Sequence, residues 1–292
     1  KPKRFFKSAS GKTLVDFGQN LVGHLRVNVT GPGDTNITFH HAEVLENDEL
    51  ALRPLRQAAA RDVLILSGNG PIQWEPKFTF HGFRYAQVDG WPEETPLDEN
   101  SIVAVVVHTD LEETGFFECS NPLLNQFHSN VRCPQRDERL GWTGDAHAFG
   151  PTANYLFDTA GFWKGWHKDI WSEMKGNRMT PPVYVPSVPI DIGGYLPTAI
   201  WGDVVVGNPR NTFTAFGDEA LLAENLPQAQ AWIDVGIPRN QDGLWDPKPF
   251  QFGDWLDPLS PADNPGNATT HRGLVADAYL VKMTEIMSHI SH

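Results

Sequence analysis

Apolar and polar residues alternate in short runs over the first 110 positions of the chain. Segments such as HLRVNVT and NITFHHAEV place an apolar side chain at nearly every second position, the period of a strand with one buried face. The runs predict short separate strands at TLVDFG, LRVNVT, NITFHH, DVLILSG, YAQVDG and SIVAVVV. Stretches rich in Gly, Pro, Asn and Asp separate them, among them GPGDTN, SGNGP and GWPEETP. The regular spacing of strands and turns predicts an antiparallel β-sandwich.

After residue 115 the apolar period changes to three and four residues, which predicts helices. The predicted helices include LLNQFHSNV, TANYLFDTAGFWKGWHKDIWSEMK, DEALLAENLPQAQAWIDV and GLVADAYLVKMTEIMSHI. Long segments rich in Pro and Gly lie between them, and long loops on a helical scaffold commonly carry function. The sequence therefore predicts a β-sandwich domain over residues 1–114 and a helical domain over residues 115–292.

Charge and composition exclude some classes of function. The formal net charge of −13 over 292 residues disfavours a nucleic-acid partner, because such binding depends on clustered Lys and Arg. The longest β-branched run, IVAVVV at 102–107, has the length of a strand, so no membrane-spanning segment is expected. The two cysteines, Cys119 and Cys133, lack the spacing of a zinc site or a disulfide framework.

The stretch CPQRDERLGWTGDA, residues 133–146, carries the strongest candidate chemistry. Its Pro and Gly residues predict a loop that leads into the next helix, and several charges on one loop can converge on a single point. Glycoside hydrolysis needs an acid, a second carboxylate and a wall that excludes water. The alternative for such a charge run is a solvated cluster of ion pairs on the surface.

This stretch, followed by FD, GGY, WGD and FGDWL, resembles the bacterial and fungal α-L-rhamnosidases of glycoside hydrolase family 78. The β-rich half, with DFGQNLVGHLRVNVTG and FTFHGFRYAQVDG, is similar to the sandwich that precedes the catalytic domain in that family. The resemblance implies a multidomain β and α protein, an antiparallel β-sandwich followed by part of an (α/α)6 barrel. It also implies a pocket for terminal L-rhamnose and cleavage with inversion, without a cofactor.

The resemblance assigns roles to individual residues. Glu138 matches the general acid. The substrate-binding positions that the resemblance implies are Arg136, Trp142, Asp145, Trp201 and Trp255. Arg and carboxylate groups bind sugar hydroxyls through charge-assisted hydrogen bonds, and indole faces cover the apolar side of a deoxysugar. The neighbouring acid, Asp137, is expected to be structural.

Two departures from the family pattern stand out. The family has an Asp directly before the Cys, where this chain has Arg132 before Cys133, so a segment is expected to be missing between these two residues. The family's general base comes from a later part of the barrel and has no match within residues 1–292. The chain is therefore expected to be a fragment that lacks the base.

Several residues keep two interpretations. The side chains of Trp142, Trp201 and Trp255 could belong to the core, and helical spacing predicts packing roles for Trp163, Trp166 and Trp171. The carboxylates of Asp203 and Asp254 could bind sugar hydroxyls or cap the following helix. For metals, none is predicted: His40 and His41 point to opposite faces of a strand, so no ligand set is expected.

The expected function is an inverting exo-glycosidase that hydrolyses terminal α-L-rhamnose from glycosides or polysaccharides. The alternatives are a non-catalytic carbohydrate-binding protein and another sugar-active (α/α)6 enzyme. An extracellular or periplasmic location is expected, with N-x-T sequons at Asn28, Asn36 and Asn267 available for glycans. The sequence does not predict an oligomeric state.

Overall fold

The computed structural model describes residues 1–55, 58–130, 139–188, 195–261 and 263–291. Contacts divide the chain into two compact units, one of residues 1–110 and 118–139, the other of residues 111–117 and 140–292. The first unit contains the strands and the second contains all but one of the α-helices of the described ranges. The predicted class, an antiparallel β domain followed by a helical domain, is confirmed.

The β unit has nine strands in the ranges that the structure describes, all paired antiparallel. They are β1 (Arg4–Lys7), β2 (Thr13–Val29), β3 (Asn36–Ala42), β4 (Leu45–Glu46), β5 (Glu49–Leu50), β6 (Arg61–Ile65), β7 (Ile72–Trp74), β8 (His81–Asp89) and β9 (Ile102–Val106). The main sheet has the order β1-β2-β8-β3-β6, and both β7 and β9 also pair with β2. One apolar face of these strands forms the core, in which Phe39 of β3 stacks on Trp74 of β7 with ring centroids 6.1 Å apart.

Strand β2 corrects a detail of the sequence prediction. TLVDFG and LRVNVT were expected to be separate strands, but they form one strand of 17 residues with a bulge between Asp16 and Leu21. Gly18 in the bulge has φ +83°, which a glycine adopts without a steric cost. The Asp16 carboxylate accepts from Gly18 N–H and from two nitrogens of Arg84, and the Arg84 hydrogen bonds hold the pKa of Asp16 below its usual value.

Six α-helices lie in the described ranges. They are α1 (Pro122–Asn130), which belongs to the β unit, then α2 (Thr143–Leu156), α3 (Ala160–Gly176), α4 (Val204–Phe216), α5 (Glu219–Ala231) and α6 (Arg272–Ile290). A π-helical turn at Trp232–Gly236 continues α5. The core of the helical unit includes Ile170, Val204, Trp232 and Met283, and a membrane-spanning length of apolar helix is not found in the described ranges.

The packing role expected for three tryptophans of α3 is confirmed. Trp163 is buried, and its indole N–H donates to Asn154 Oδ1 at 2.7 Å. Trp166 and Trp171 are partly buried against the core of the helical unit. These three rings therefore belong to the interior of the unit.

Candidate active site

The GWTG segment was predicted to be loop, but helix α2 begins within it, at Thr143. Contacts with residues 183–185 and with Trp201 fix the segment. Trp142 forms an antiparallel bridge with Tyr184, and Thr143 N–H donates to Val183 O at 3.0 Å. A Cβ atom at Gly141 would lie 2.3 Å from Val185 O, and one at Gly144 would lie 2.5 Å from the Trp201 ring. Both glycines are needed because any side chain would push these neighbours away.

The WGD motif positions the Trp201 side chain. Trp201 follows Ile200, whose φ of +71° is rare for a β-branched residue. Two hydrogen bonds hold that conformation: His147 Nδ1–H donates to Ile200 O at 2.9 Å, and Ile200 N–H donates to Asp203 Oδ2 at 2.7 Å. Gly202 has no room for a side chain, because a Cβ atom there would lie 2.3 Å from the Trp232 ring.

Asp203 has neither of the two roles predicted for it. The residue is buried, and its carboxylate accepts from Ile200 N–H and from Trp232 Nε1–H, the latter at 2.9 Å. It stands at the N-cap of α4 without capping the helix through its side chain. Burial raises the pKa of Asp203, since the charged form loses its hydration. Asp203 therefore fixes the turn that carries Trp201.

A row of aromatic rings continues from Trp201 to the FGDWL motif. Trp201 stacks on Phe252 with centroids 4.1 Å apart, and the Phe252 ring meets Trp255 edge-on at 5.1 Å. Trp142 meets Tyr184 edge-on at 5.5 Å and belongs to the same apolar cluster as Trp201 and Phe252. The structure thus brings Trp142, Trp201 and Trp255 into one aromatic region.

The predicted site residues of this region differ in exposure. Trp201 is only 8% exposed, with the Phe252 ring against one of its faces, so its packing role is clear. Trp142 is half-buried, Asp145 is exposed in the first turn of α2, and Trp255 is 38% exposed. Asp254 is exposed at a bend beside Trp255. The substrate-binding roles of these residues stay predictions.

A cavity of about 520 Å³ opens beside Trp255, within the usual size range of small-molecule sites. Its wall includes Phe250, Gln251, Asn264, Asn267, His271 and Arg272. The Gln251 side-chain oxygen accepts from Ala199 N–H at 2.9 Å, whereas its buried Nε2 has no acceptor among the described residues. His271 Nδ1 accepts from Gly273 N–H, which leaves the proton on Nε2.

The lining of this cavity suits a polyhydroxylated ligand. His271 Nε2 and the guanidinium of Arg272 are hydrogen-bond donors, and the amides of Asn264 and Asn267 add both donors and acceptors. The Trp255 and Phe250 rings add apolar surface. Gln251 Nε2 is itself buried, so the donors that can reach a ligand are on the exposed His271 and Arg272 side chains.

The proton-donating part of the predicted site lies outside the described residues. Glu138 and Arg136 both fall in the range 131–138, and so does the predicted missing segment between Arg132 and Cys133. Their roles therefore rest on the sequence motif. The residue that follows, Arg139, is described, with φ +56° and its guanidinium 4.8 Å from the centroid of the Phe80 ring.

The close approach at Gly144 predicts a loss of stability on substitution. We expect Gly144→Ala to lower the free energy of unfolding by about 1–3 kcal/mol, because the new methyl group overlaps the Trp201 ring. Gly161→Ala is the matched control: it lies in α3, where an added Cβ atom meets nothing within 4 Å, and it should stabilise by about 0.5–1 kcal/mol. Chemical denaturation of the two variants checks this, and equal stabilities would contradict it.

Sequence reasoning missed several residues of the cavity. Phe250 and Gln251 directly precede the recognised FGDWL motif. Their position beside the motif was a signal that could have marked them as candidate site residues. His271 and Arg272 begin α6 and carry no local pattern that marks them. Sequence reasoning also did not find that His41 lies close to Asp62 and His81 of other strands, a grouping that could hold a metal ion. The expectation of no metal stays a prediction.

The two units correspond to two domains of a class of glycoside hydrolases. Residues 112–292 match the model of the bacterial alpha-L-rhamnosidase 6 hairpin glycosidase domain, and residues 6–108 match that of the bacterial alpha-L-rhamnosidase concanavalin-like domain. The chain belongs to the bacterial α-L-rhamnosidase family, as the resemblance predicted.

Individual relatives agree with this assignment. The chain is 35% identical to an α-L-rhamnosidase of Streptomyces avermitilis over 96% of its own length and 27% of the relative's length. The crystal structure of an α-L-rhamnosidase from Aspergillus terreus is similar with a TM-score of 0.95 and 54% identity, over 100% of this chain and 35% of that one. The S. avermitilis α-L-rhamnosidase complexed with L-rhamnose is similar with a TM-score of 0.86 and 34% identity, over 99% and 28%. The chain thus spans about a third or less of these relatives.

Proposed function

We propose that this chain is the part of an α-L-rhamnosidase that recognises the terminal sugar and supplies the general acid. The supporting observation is the cavity beside Trp255, which combines the Trp255 and Phe250 rings with the His271 and Arg272 donors in the unit matched to the glycosidase domain. The proposed reaction is hydrolysis of terminal, non-reducing α-L-rhamnose from glycosides or polysaccharides, with inversion at the anomeric carbon.

In the proposed reaction Glu138 donates its proton to the glycosidic oxygen while the bond from the anomeric carbon to that oxygen breaks. A water molecule attacks the anomeric carbon from the opposite face, and a second carboxylate takes a proton from that water. Inversion requires about 6.5–9.5 Å between the two carboxyl groups, to leave room for the water. The second carboxylate is proposed to come from a part of the enzyme beyond these 292 residues.

Recognition of L-rhamnose is proposed to use the two kinds of surface in the cavity. The face of Trp255 would cover the apolar side of the ring with its C6 methyl group, and His271 and Arg272 would bind hydroxyls. Trp142 and Asp145 are proposed to complete the site from the start of α2.

Two sugars that differ at one atom test this proposal. L-mannose carries a hydroxyl where L-rhamnose has the hydrogen of its C6 methyl group, so we expect the full-length protein to bind L-rhamnose more tightly, by about tenfold in calorimetric titration. Equal affinity for the two sugars would contradict recognition of the methyl group. Tight binding of L-rhamnose without turnover of a rhamnoside would instead favour a non-catalytic carbohydrate-binding protein.

We also propose an extracellular or periplasmic enzyme that carries N-linked glycans in a host able to add them. The side chains of Asn28, Asn36 and Asn267 are exposed, which supports access to all three sequons. Asn28 Nδ2 donates to Asn100 O, and Asn267 lies on the cavity wall, so Asn36 is the expected site. Amidase removal of N-glycans should lower the mass of the secreted protein, and Asn36→Gln should abolish that change. An unchanged mass on amidase treatment would contradict glycosylation.

A further inference from the structure

Three buried side chains with metal-binding atoms converge in the β unit. His41 lies on β3, Asp62 on β6 and His81 at the start of β8, three strands that are neighbours in the sheet. Their exposed fractions are 0%, 9% and 8%. One ligand atom of each lies within 4.8 Å of the ligand atoms of the other two. None of them belongs to the proposed sugar site.

The two imidazole rings are held side by side. They stack with centroids 4.3 Å apart and an angle of 23° between the ring planes. His81 Nε2 lies 3.0 Å from Asp62 Oδ1, and His41 Nε2 lies 3.8 Å from Asp62 Oδ2. Both Nε2 atoms therefore face the same carboxylate from adjacent strands.

His41 Nε2 and Asp62 Oδ2 face each other without a hydrogen bond between them. His41 Nδ1 is 3.1 Å from Ala60 O, which can only accept, so Nδ1 donates and Nε2 presents a lone pair. Neither His41 Nε2 nor Asp62 Oδ2 has a hydrogen-bond partner in the described part of the chain, and both are buried. Two buried acceptors facing each other are unfavourable unless a cation or a donor lies between them.

We propose that His41, Asp62 and His81 bind a divalent first-row transition metal ion of the zinc type. Imidazole nitrogen and carboxylate oxygen are ligands that zinc accepts, whereas calcium and magnesium prefer oxygen alone. Two ligands of a tetrahedral zinc ion lie about 3.4 Å apart, so the widest separation in the set, up to 4.8 Å, has to shorten by about 1.4 Å on binding. The ion would join β6, β3 and β8, and its binding would stabilise the β unit.

Arg139 competes with the metal for His81. Its Nη2 lies 3.2 Å from His81 Nδ1, and because a guanidinium only donates, Nδ1 accepts and Nε2 carries the ring proton. A metal at Nε2 requires that proton to be on Nδ1 instead, which removes the hydrogen bond from Arg139. The guanidinium also contacts Thr79 Oγ1 at 3.4 Å, so it keeps a neighbour when His81 is released. Replacing Arg139 by Met therefore should tighten metal binding.

The test uses zinc ions and the full chain, stripped with a chelator and dialysed. We expect one bound zinc per chain by equilibrium dialysis with elemental analysis, and a rise in Tm on adding zinc. Asp62→Asn and His41→Gln should each lose this bound zinc, and Arg139→Met should raise its affinity, by about tenfold if one unit of charge and one hydrogen bond are removed. His40→Gln is the matched control, since it removes a histidine from the opposite face of the same strand and should leave binding unchanged.

Measurements on the wild-type protein alone can overturn the proposed zinc site, so the test does not depend on the folding of the variants. Less than a tenth of an equivalent of bound zinc, with an unchanged Tm, would overturn the site, and so would a folded Asp62→Asn variant that binds zinc like wild type. Cobalt added to the stripped wild-type chain should give visible absorption bands, and their loss on adding zinc places both ions at one site. Bands that persist in excess zinc would also count against the proposal.

Discussion

Replacing Glu138 by Gln in the full-length enzyme is expected to lower kcat on an alkyl α-L-rhamnoside by about 10²–10⁴-fold. The amide keeps the shape of the side chain but has no acidic proton for the leaving oxygen. An aryl rhamnoside with a nitrophenol leaving group needs less protonation, so its kcat should fall much less. The affinity for L-rhamnose should stay close to that of wild type, because the lost interaction belongs to the transition state.

The neighbouring carboxyl provides the control for this experiment. Asp137→Asn removes an acid one position away, and with a structural role it should leave the ratio of alkyl to aryl rates unchanged. Equal losses of turnover on both substrates, together with weaker L-rhamnose binding, would contradict proton donation by Glu138. Such a result would point to a structural role for that carboxyl.

Replacing Trp255 by Ala is expected to weaken L-rhamnose binding by roughly 30- to 100-fold, which corresponds to about 2–3 kcal/mol. The indole is one of the two exposed rings of the cavity wall, with Phe250, while Phe252 and Trp201 lie behind it. Its removal leaves the apolar side of the sugar in contact with water. Calorimetric titration of the variant with L-rhamnose measures the loss.

Leu256 offers a matched control on the same segment. Its side chain is 68% exposed and is not part of the cavity wall, so Leu256→Ala should bind L-rhamnose like wild type. A Trp255→Ala variant with unchanged affinity would place the sugar elsewhere. Equal losses in both variants would instead indicate a general change in this segment.

The alternation of apolar residues predicted the strands well, because a half-buried strand leaves a local period of two. The same reasoning divided β2 into two strands at FGQN. A bulge does not interrupt pairing as a turn does, and here it is stabilised by Arg84, which is 68 positions away from Asp16. Contacts that distant leave no local signal in the sequence.

In the candidate site, too, some residues were predicted from local sequence patterns and others depend on contacts between distant parts of the chain. The resemblance named Trp142, Trp201 and Trp255, and the structure brings them into one aromatic region. The position of Gln251 depends on its hydrogen bonds with Thr198 and Ala199, 53 and 52 positions away, which leave no local signal in the sequence. Two roles, sugar binding and helix capping, were predicted for Asp203 from its position. In the structure its carboxylate instead accepts a hydrogen bond from the buried indole of Trp232.

The metal-ligand set in the β unit illustrates a limit of reading one strand at a time. The alternation of His40 and His41 correctly indicates that the two face opposite sides, so they do not form a site together. The partners of His41 come from β6 and β8, and only the order of the strands in the sheet brings Asp62 and His81 beside it. The strand order was not predicted from the sequence.

The most direct test of the rhamnosidase proposal is a proton NMR time course of the full-length protein acting on p-nitrophenyl α-L-rhamnoside. The proposal predicts release of L-rhamnose, with the β-anomer appearing first and the α-anomer growing later by mutarotation. No release of L-rhamnose by a folded, full-length protein that does cleave another sugar would contradict the proposed function.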